Sequence, residues 1–223
     1  MLRNCFPGET KKAVILSYDD GMTADRQLIE IMNRHGLRGT FHLNSGKLDD
    51  GDHVTAAEMP VLYRGHEVSC HTRDHFHFSQ LAPSVIAEEI LADRDCLKQI
   101  MGYPIRGMSY PYGEYNDRLL AALPGFGIEY ARTTRSHGGF HFPENPLTWH
   151  PTCHHRDRLM ERTHVFLEKE TSGLLFVWGH SYEFEREGNW ELMEEFGNLI
   201  GKREDVWYTT CIEIITYMRS PEG

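Results

Sequence analysis

Ala13-Val14-Ile15-Leu16-Ser17-Tyr18-Asp19-Asp20-Gly21 is an apolar run that ends at two adjacent carboxylates and a glycine. Val14, Ile15 and Leu16 are residues of a strand covered on both faces, and Gly21 permits the sharp exit that turns Asp19 and Asp20 into a cavity. Neighbouring carboxylates repel each other. A bound cation removes the repulsion and lowers carboxylate pKa values, so that one acid ligates while the other moves protons. A solvated Asp-Asp-Gly turn after an ordinary strand accounts for the same residues equally well.

Outward from this strand the pattern alternates. Thr23 is placed to cap a helix over 23–33, with Leu28, Ile29, Ile31 and Met32 as its apolar stripe and Gly36 as its stop. Strands are expected at 39–43, 67–70, 105–110 and 128–132, and helices at 55–63, 83–101 and 116–123. Residues 133–157 are rich in Gly, Pro, His and aromatics without a period, which predicts a long loop with short extended pieces. A helix at 158–169, a strongly apolar strand at 174–178, a helix at 190–200, a strand at 206–208 and a closing helix at 211–218 complete the chain. About seven β/α units without a Gly-rich dinucleotide fingerprint predict an α/β fold, a TIM-barrel-like barrel of mainly parallel strands. Chemistry in such barrels sits at the C-terminal strand ends. Those ends collect Asp19, Asp20, His42, Asn44, His71, residues 110–113, Arg132 and His180.

Composition narrows the function classes. A chain of 223 residues, 40% hydrophobic and 25% charged, is expected to fold as one globular domain over 1–223. No apolar run reaches membrane-spanning length, and residues 1–8 lack the apolar core and cleavage site of a signal peptide, so a cytoplasmic location is expected. Cys5, Cys70, Cys96, Cys153 and Cys211 form no Cys-x-x-Cys pair and read as reduced thiols. A net charge of −10 argues against nucleic acid and anionic membrane as partners. Fourteen histidines favour a metal site without locating it.

Ser69-Cys70-His71-Thr72-Arg73-Asp74-His75 follows the third strand and sets two imidazoles four residues apart. On one helical turn they would share a face and grip one ion. Two histidines with one carboxylate leave open positions on zinc or a similar cation, as catalytic sites do. Local hydrogen bonding is the alternative use of the same pair.

Tyr-Asp-Asp-Gly at 18–21, His-Thr-x-x-His at 71–75, Tyr-Pro-Tyr-Gly at 110–113 and a late strand ending in His180 resemble the successive motifs of one known family. It is the polysaccharide deacetylases of the NodB-homology type, carbohydrate esterase family 4. The resemblance spans most of the chain in the family's order and implies a deformed (β/α) barrel of about seven strands. It implies Asp20, His71 and His75 as ligands of a divalent metal, zinc first, with cobalt or nickel as substitutes. Asp19 would be the general base, the Tyr112 backbone N–H an oxyanion donor, and His180 the acid that protonates the leaving amine. The chain also departs from the family. Ser109 stands where an arginine usually orients the catalytic aspartate, with Arg106 and Arg132 as possible substitutes. Trp149 is the nearest counterpart of the fourth motif's tryptophan, and Trp178 occupies a common acyl-pocket leucine position, which implies an altered or smaller pocket.

The expected function is a metal-dependent hydrolase that removes an acetyl group, N-acetyl before O-acetyl, from a small or oligomeric saccharide or a sugar conjugate. An amide hydrolase acting on a cyclic imide or ureide, or a carbohydrate-binding protein that has lost turnover, are the alternatives. His150, His154 and His155 could line the cleft or lie exposed in the long loop. The acidic stretch 183–195 reads as a solvated face and helix start, and 49–52 as a turn rather than a calcium loop.

Overall fold

The computed structural model describes residues 6–220, so Cys5 and most of the stretch read for a signal peptide lie outside the described residues. Strand β1 (Lys12–Asp20) is followed by α1 (Asp25–Arg34), β2 (Gly39–Leu43), α2 (Met59–Leu62), β3 (Glu67–Cys70) and α3 (Pro83–Met101). Then come β4 (Gly107–Ser109), α4 (Asp117–Ala122), β5 (Tyr130–Arg132), β6 (Cys153–His154), α5 (Leu159–Glu168) and β7 (Gly173–His180). The series ends with α6 (Ser181–Glu187), α7 (Trp190–Ile200), β8 (Val206–Tyr208) and α8 (Cys211–Arg219).

The strands form one curled parallel sheet in the order β5-β4-β3-β2-β1-β7-β6. On β1, β7 runs along residues 12–19, while β8 pairs at 12–14 and β2 at 16–20. The strand quoted first is therefore the axis of the fold. The expected α/β deformed barrel is what the chain forms, with β6 added to the seven anticipated strands. Residues 133–157 do more than loop. Trp149 bridges to Arg132 of β5, and β6 pairs with β7, so this segment links the two ends of the sheet and closes the curl.

Alternation along β1 divides the core. Val14, Leu16 and Tyr18 face outward into the cluster packed by α1, α3, α5 and α7, whereas Ala13 and Ile15 face inward with Tyr130, Trp149, Phe176 and residues of α8. Each buried aliphatic or aromatic side chain contributes about 1.5–3 kcal/mol of apolar transfer. Gly107 lies so close to the Tyr130 ring that a Cβ would come within 2.0 Å of it. The inward face turns polar toward the strands' C-terminal ends, at Ser17, Asp19, His42, Ser69, Ser109 and Arg132, all buried.

Two helix boundaries differ from expectation for local reasons. Helix α1 starts at Asp25 rather than at a Thr23 cap, because the Thr23 amide donates to Asp52 O at 2.8 Å and the Asp25 carboxylate is buried, accepting from Tyr63 Oη at 2.7 Å. The stretch 55–63 yields only the short α2.

Glu67 joins the layers beneath the polar mouth. Its Oε2 accepts from Thr40 Oγ1 at 2.8 Å and from the Ile212 amide at 3.0 Å, and its Oε1 accepts from Tyr130 Oη at 2.8 Å. Burial pushes this carboxyl up from 4.5 to about 7, against those hydrogen bonds. A folded-state pKa above the ordinary one means that the proton's stabilising contribution is complete below pH 4.5 and lost as pH climbs to about 7. Glu67→Gln is therefore expected to gain stability relative to wild type across that window, by on the order of 3 kcal/mol. Denaturation of both proteins from pH 4 to 8 checks this, and a constant difference between them would contradict it.

Candidate active site and metal centre

Successive strand residues point to opposite faces, so Asp19 and Asp20 on a regular strand would diverge. The backbone prevents this: Asp20 has φ +81° and Gly21 φ +71°, which ends β1 in a left-handed kink. Glycine suits the positive φ at position 21, and a Cβ there would also have to displace the tip of the Leu43 side chain, 2.8 Å away. Both carboxylates then reach one imidazole. His71 Nε2 lies 3.5 Å from Asp20 Oδ1 and 3.9 Å from Asp19 Oδ2.

His71 and His75 do not sit on a helical turn, as their spacing suggested. They leave β3 in an irregular loop in which Thr72 (φ +64°) and His75 (φ +57°) are left-handed. Helix α3 shapes that loop: Asp93 Oδ2 accepts the His71 amide at 3.0 Å, Asp93 Oδ1 the Ser45 amide at 2.7 Å, and Glu89 Oε2 the Asp74 amide at 2.8 Å. His75 Nε2 comes 3.7 Å from Asp20 Oδ1 as a result. Burial and then the neighbouring His71 push the His75 imidazole down to about 4, so it is neutral at physiological pH.

Asp20, His71 and His75 each bring one donor atom within 4.8 Å of the others. Their environment fits a cation. Asp20 Oδ1 is buried without a hydrogen-bond partner, a costly arrangement for a carboxylate oxygen unless an ion takes it up. Ser109 O and Oγ lie 3.0 and 2.7 Å from His71 Nδ1, so that nitrogen is engaged and Nε2 is presented to the cluster, as in ligating histidines.

Asp19 is only 2% exposed. Its Oδ1 accepts from Ser109 Oγ at 3.0 Å, and its Oδ2 is ion-paired with Arg132. Burial alone would raise this carboxyl; Arg132, with smaller help from His71, His42 and His180, overrides burial and holds it well below the usual carboxylate range. Arg132 is fully buried, donates from Nε to Ser17 Oγ at 3.1 Å and lies 4.6 Å from the Trp178 ring centre. Ser17 Oγ is in turn 2.9 Å from His42 Nε2, and burial pushes that imidazole down to about 3. Of the two candidate arginines, Arg132 reaches Asp19. Arg106 instead pairs with Glu129, Nη2 to Oε2 at 2.9 Å, on a partly exposed surface.

His180 ends β7 with Nε2 4.0 Å from Asp20 Oδ2. Its Nδ1 is 3.2 Å from Glu183 Oε2, and its amide donates to the same oxygen at 3.2 Å. Burial would lower this imidazole, but Glu183, Asp19 and Asp20 raise it. Glu183 corrects the reading of 183–195 as a solvated face, for it is buried in the first turn of α6 with His154 and His155 also against it. Burial opposes its ionisation, and hydrogen bonds from His154 and His180 keep the carboxyl well below its usual value. An acid three residues past a helix N-cap is the capping-box position and was the available signal.

Tyr112 sits at φ +56° in the turn Pro111–Gly113, its ring stacked on His77 at 3.4 Å and edge-on to His75 at 4.7 Å. Glu114 ties this turn to the preceding loop through His77 Nδ1 at 2.8 Å and the Ser79 amide at 2.9 Å. Trp149 lies elsewhere, buried between Tyr130 and Phe176 in the inner apolar layer. His150 pairs with Thr133 Oγ1 at 2.5 Å.

Three comparisons with known proteins agree on this arrangement's kin. The family model for polysaccharide deacetylases matches residues 7–131. The YxkH protein of Bacillus subtilis (strain 168) is 24% identical over 127 residues, 56% of this chain and 46% of its own. A chitooligosaccharide deacetylase of Bradyrhizobium sp. (strain ANU 289) is 25% identical over 146 residues, 62% of this chain and 59% of its own. The chain thus spans about half the length of these curated relatives. Among solved structures, a family 4 acetyl xylan esterase from Clostridium thermocellum in complex with a cobalt ion aligns with TM-score 0.65 at 16% identity, covering 94% of this chain and 93% of that one. With more than half of its residues under the family model, the chain belongs to the polysaccharide deacetylase family.

Proposed function

We propose that residues 1–223 form one domain that hydrolyses an acetyl group from a saccharide or sugar conjugate, with N-acetyl as the preferred group. Asp20, His71 and His75 would hold a divalent cation, zinc first and cobalt or nickel as substitutes. Such a cation, when bound, polarises the acyl carbonyl and makes water more acidic. Asp19 takes the proton from the attacking water. Both its oxygens are tethered, one by Ser109 and one by Arg132, so the carboxylate is oriented before substrate arrives. The Tyr112 backbone N–H donates to the developing oxyanion. His180 delivers a proton to the departing amine from the opposite side of Asp20, its ring aimed by Glu183. Trp178, beside Arg132 and 4.6 Å from the His154 ring, narrows the acyl end.

The observation that carries this reading is an unpartnered, buried Asp20 oxygen facing two imidazoles, beside an ionised acid that is held in place. The family 4 fold alone does not carry it, since a family 4 pseudoenzyme from Bacillus anthracis shares that fold at TM-score 0.61 and 15% identity. N-acetyl preference draws on the Bradyrhizobium relative's name, while the esterase neighbour keeps O-acetyl as the second substrate to test. A reducing, cytoplasmic setting is supported by free thiols at Cys70, Cys96, Cys153 and Cys211. Among the described residues no helix is long and apolar enough to cross a membrane.

Acetate release from N-acetylated chitooligosaccharides and from acetylated xylan, with zinc or cobalt added, tests the reaction. Release from the first is expected. Hydrolysis of a cyclic imide without any acetate release would replace this reading with the amide-hydrolase alternative. Asp19→Asn should retain bound metal and lose roughly 10²–10⁴ in turnover, whereas His71→Ala and His75→Ala should lose the metal itself. Arg132→Met should lower kcat by about 10² through a misplaced Asp19, while Arg106→Ala should stay within about twofold. Equal effects of the two arginine substitutions would remove Arg132 from its role.

A further inference from the structure

A second set of donors meets at the mouth of the barrel, outside the Asp20 cluster. His154 and His155 leave β6 together, Glu183 rises from the first turn of α6, and one donor atom from each lies within 4.8 Å of the others. Glu183 Oε2 is 3.0 Å from His154 Nε2 and 3.5 Å from His155 Nε2. Imidazole and carboxylate donors sit about 2.0–2.1 Å from tetrahedral zinc, which separates neighbouring donors by roughly 3.4 Å. The two carboxylate–imidazole separations already bracket that spacing.

The donors are also held. The His155 ring stacks on Phe184 at 4.2 Å and packs so closely on Gly179 that a Cβ there would lie 2.0 Å from its Nδ1. Glu183 Oε1 is approached by Arg156 at 3.4 Å and Arg186 at 3.5 Å, which leaves Oε2 to the histidines. These guanidinium groups orient the carboxylate but add positive charge. Coordination through Nε2 also requires the His154 proton on Nδ1, at the loss of the 3.2 Å bond from the Arg156 amide. Both costs weaken the site relative to Asp20, His71 and His75.

We propose that His154, His155 and Glu183 form a second, weaker site for a zinc-like divalent cation, separated from the Asp20 cluster by the His180 ring. Two imidazoles and one carboxylate are the donor set such an ion takes. His180 faces both clusters, with Nε2 4.0 Å from Asp20 Oδ2 and Nδ1 3.2 Å from Glu183 Oε2. A cation on Glu183 competes with His180 for Oε2, so the second equivalent inhibits the turnover that the first supports. This inhibitory consequence rests on the function proposed above; the binding itself does not.

The test is a titration of zinc ion into chelator-stripped, tag-free full chain, followed by calorimetry and by metal analysis of the recovered protein. Two equivalents are expected, the second roughly tenfold or more weaker because of the neighbouring guanidinium charges. His154→Ala and Glu183→Gln should each abolish the weaker equivalent and spare the tighter one. His71→Ala should do the reverse. A single equivalent at saturation, or a second one that survives both His154→Ala and Glu183→Gln, overturns the proposal. Loss of the tighter equivalent in His154→Ala rather than in His71→Ala would instead count against the assignment of the Asp20 cluster.

Discussion

The ion pair between Asp19 and Arg132 is the constraint on which the mouth of this barrel depends. Both side chains are buried, and two charges removed from water cost several kcal/mol each unless every remaining donor and acceptor is met. Here they are met in several directions: Ser109 Oγ on the carboxylate, and Ser17 Oγ and Thr133 O on the guanidinium, with the Trp178 ring beside it. These partners come from β1, β4, β7 and the start of the closing segment. Strand order and local pairing are therefore coupled, because shifting any one of these elements would strand a buried charge.

The family's usual arginine is absent at Ser109, and the register between β4 and β5 explains how the chain manages without it. Ser109 and Arg132 are direct partners across that pair of strands. Moving the guanidinium sideways by one strand keeps it within reach of Asp19, and the small hydroxyl left behind joins Asp19 to His71 Nδ1. Arg106 lies at the opposite end of the same strand pair, where its neighbour is Glu129. The rule that chemistry collects at C-terminal strand ends separates the two arginines once the register is known; spacing from the Pro-Tyr-Gly motif does not.

What could be read from residues follows the strength of their periodicity. The apolar runs of β1 and β7, and helix 83–101 with its early proline, were legible because burial on both faces and a 3.6-residue stripe leave few alternatives. The convergence of Asp20, His71 and His75 was legible only as a motif. Its geometry comes from left-handed Asp20, Thr72 and His75, none a glycine, so no local preference announces it. Helix α3 held an unread clue: Ile86, Glu89, Ile90, Asp93 and Leu97 share one buried stripe, and two acids on a core face need partners, which turn out to be the loop of the metal-binding candidates. The segment 133–157 was opaque because its order comes from pairing with strands distant in sequence, at Trp149 and at β6.

The two acids that end β1 are adjacent in sequence and differ in surroundings, and that difference is enough to separate their chemistry. Asp19 points inward above a layer closed by α8 and Glu67, is 2% exposed, and meets a fixed positive charge. Asp20 is brought back to the same cavity by the kink, keeps a side chain 16% exposed, and faces the imidazoles of His71, His75 and His180. An acid paired with arginine cannot readily give that oxygen to a metal without leaving the guanidinium buried and uncompensated, whereas an acid whose buried oxygen has no hydrogen-bond partner gains most from a cation. The division of labour proposed for the pair thus follows from which face of the sheet each carboxylate inherits, and the left-handed turn at Asp20 is what lets two opposite faces serve one cavity.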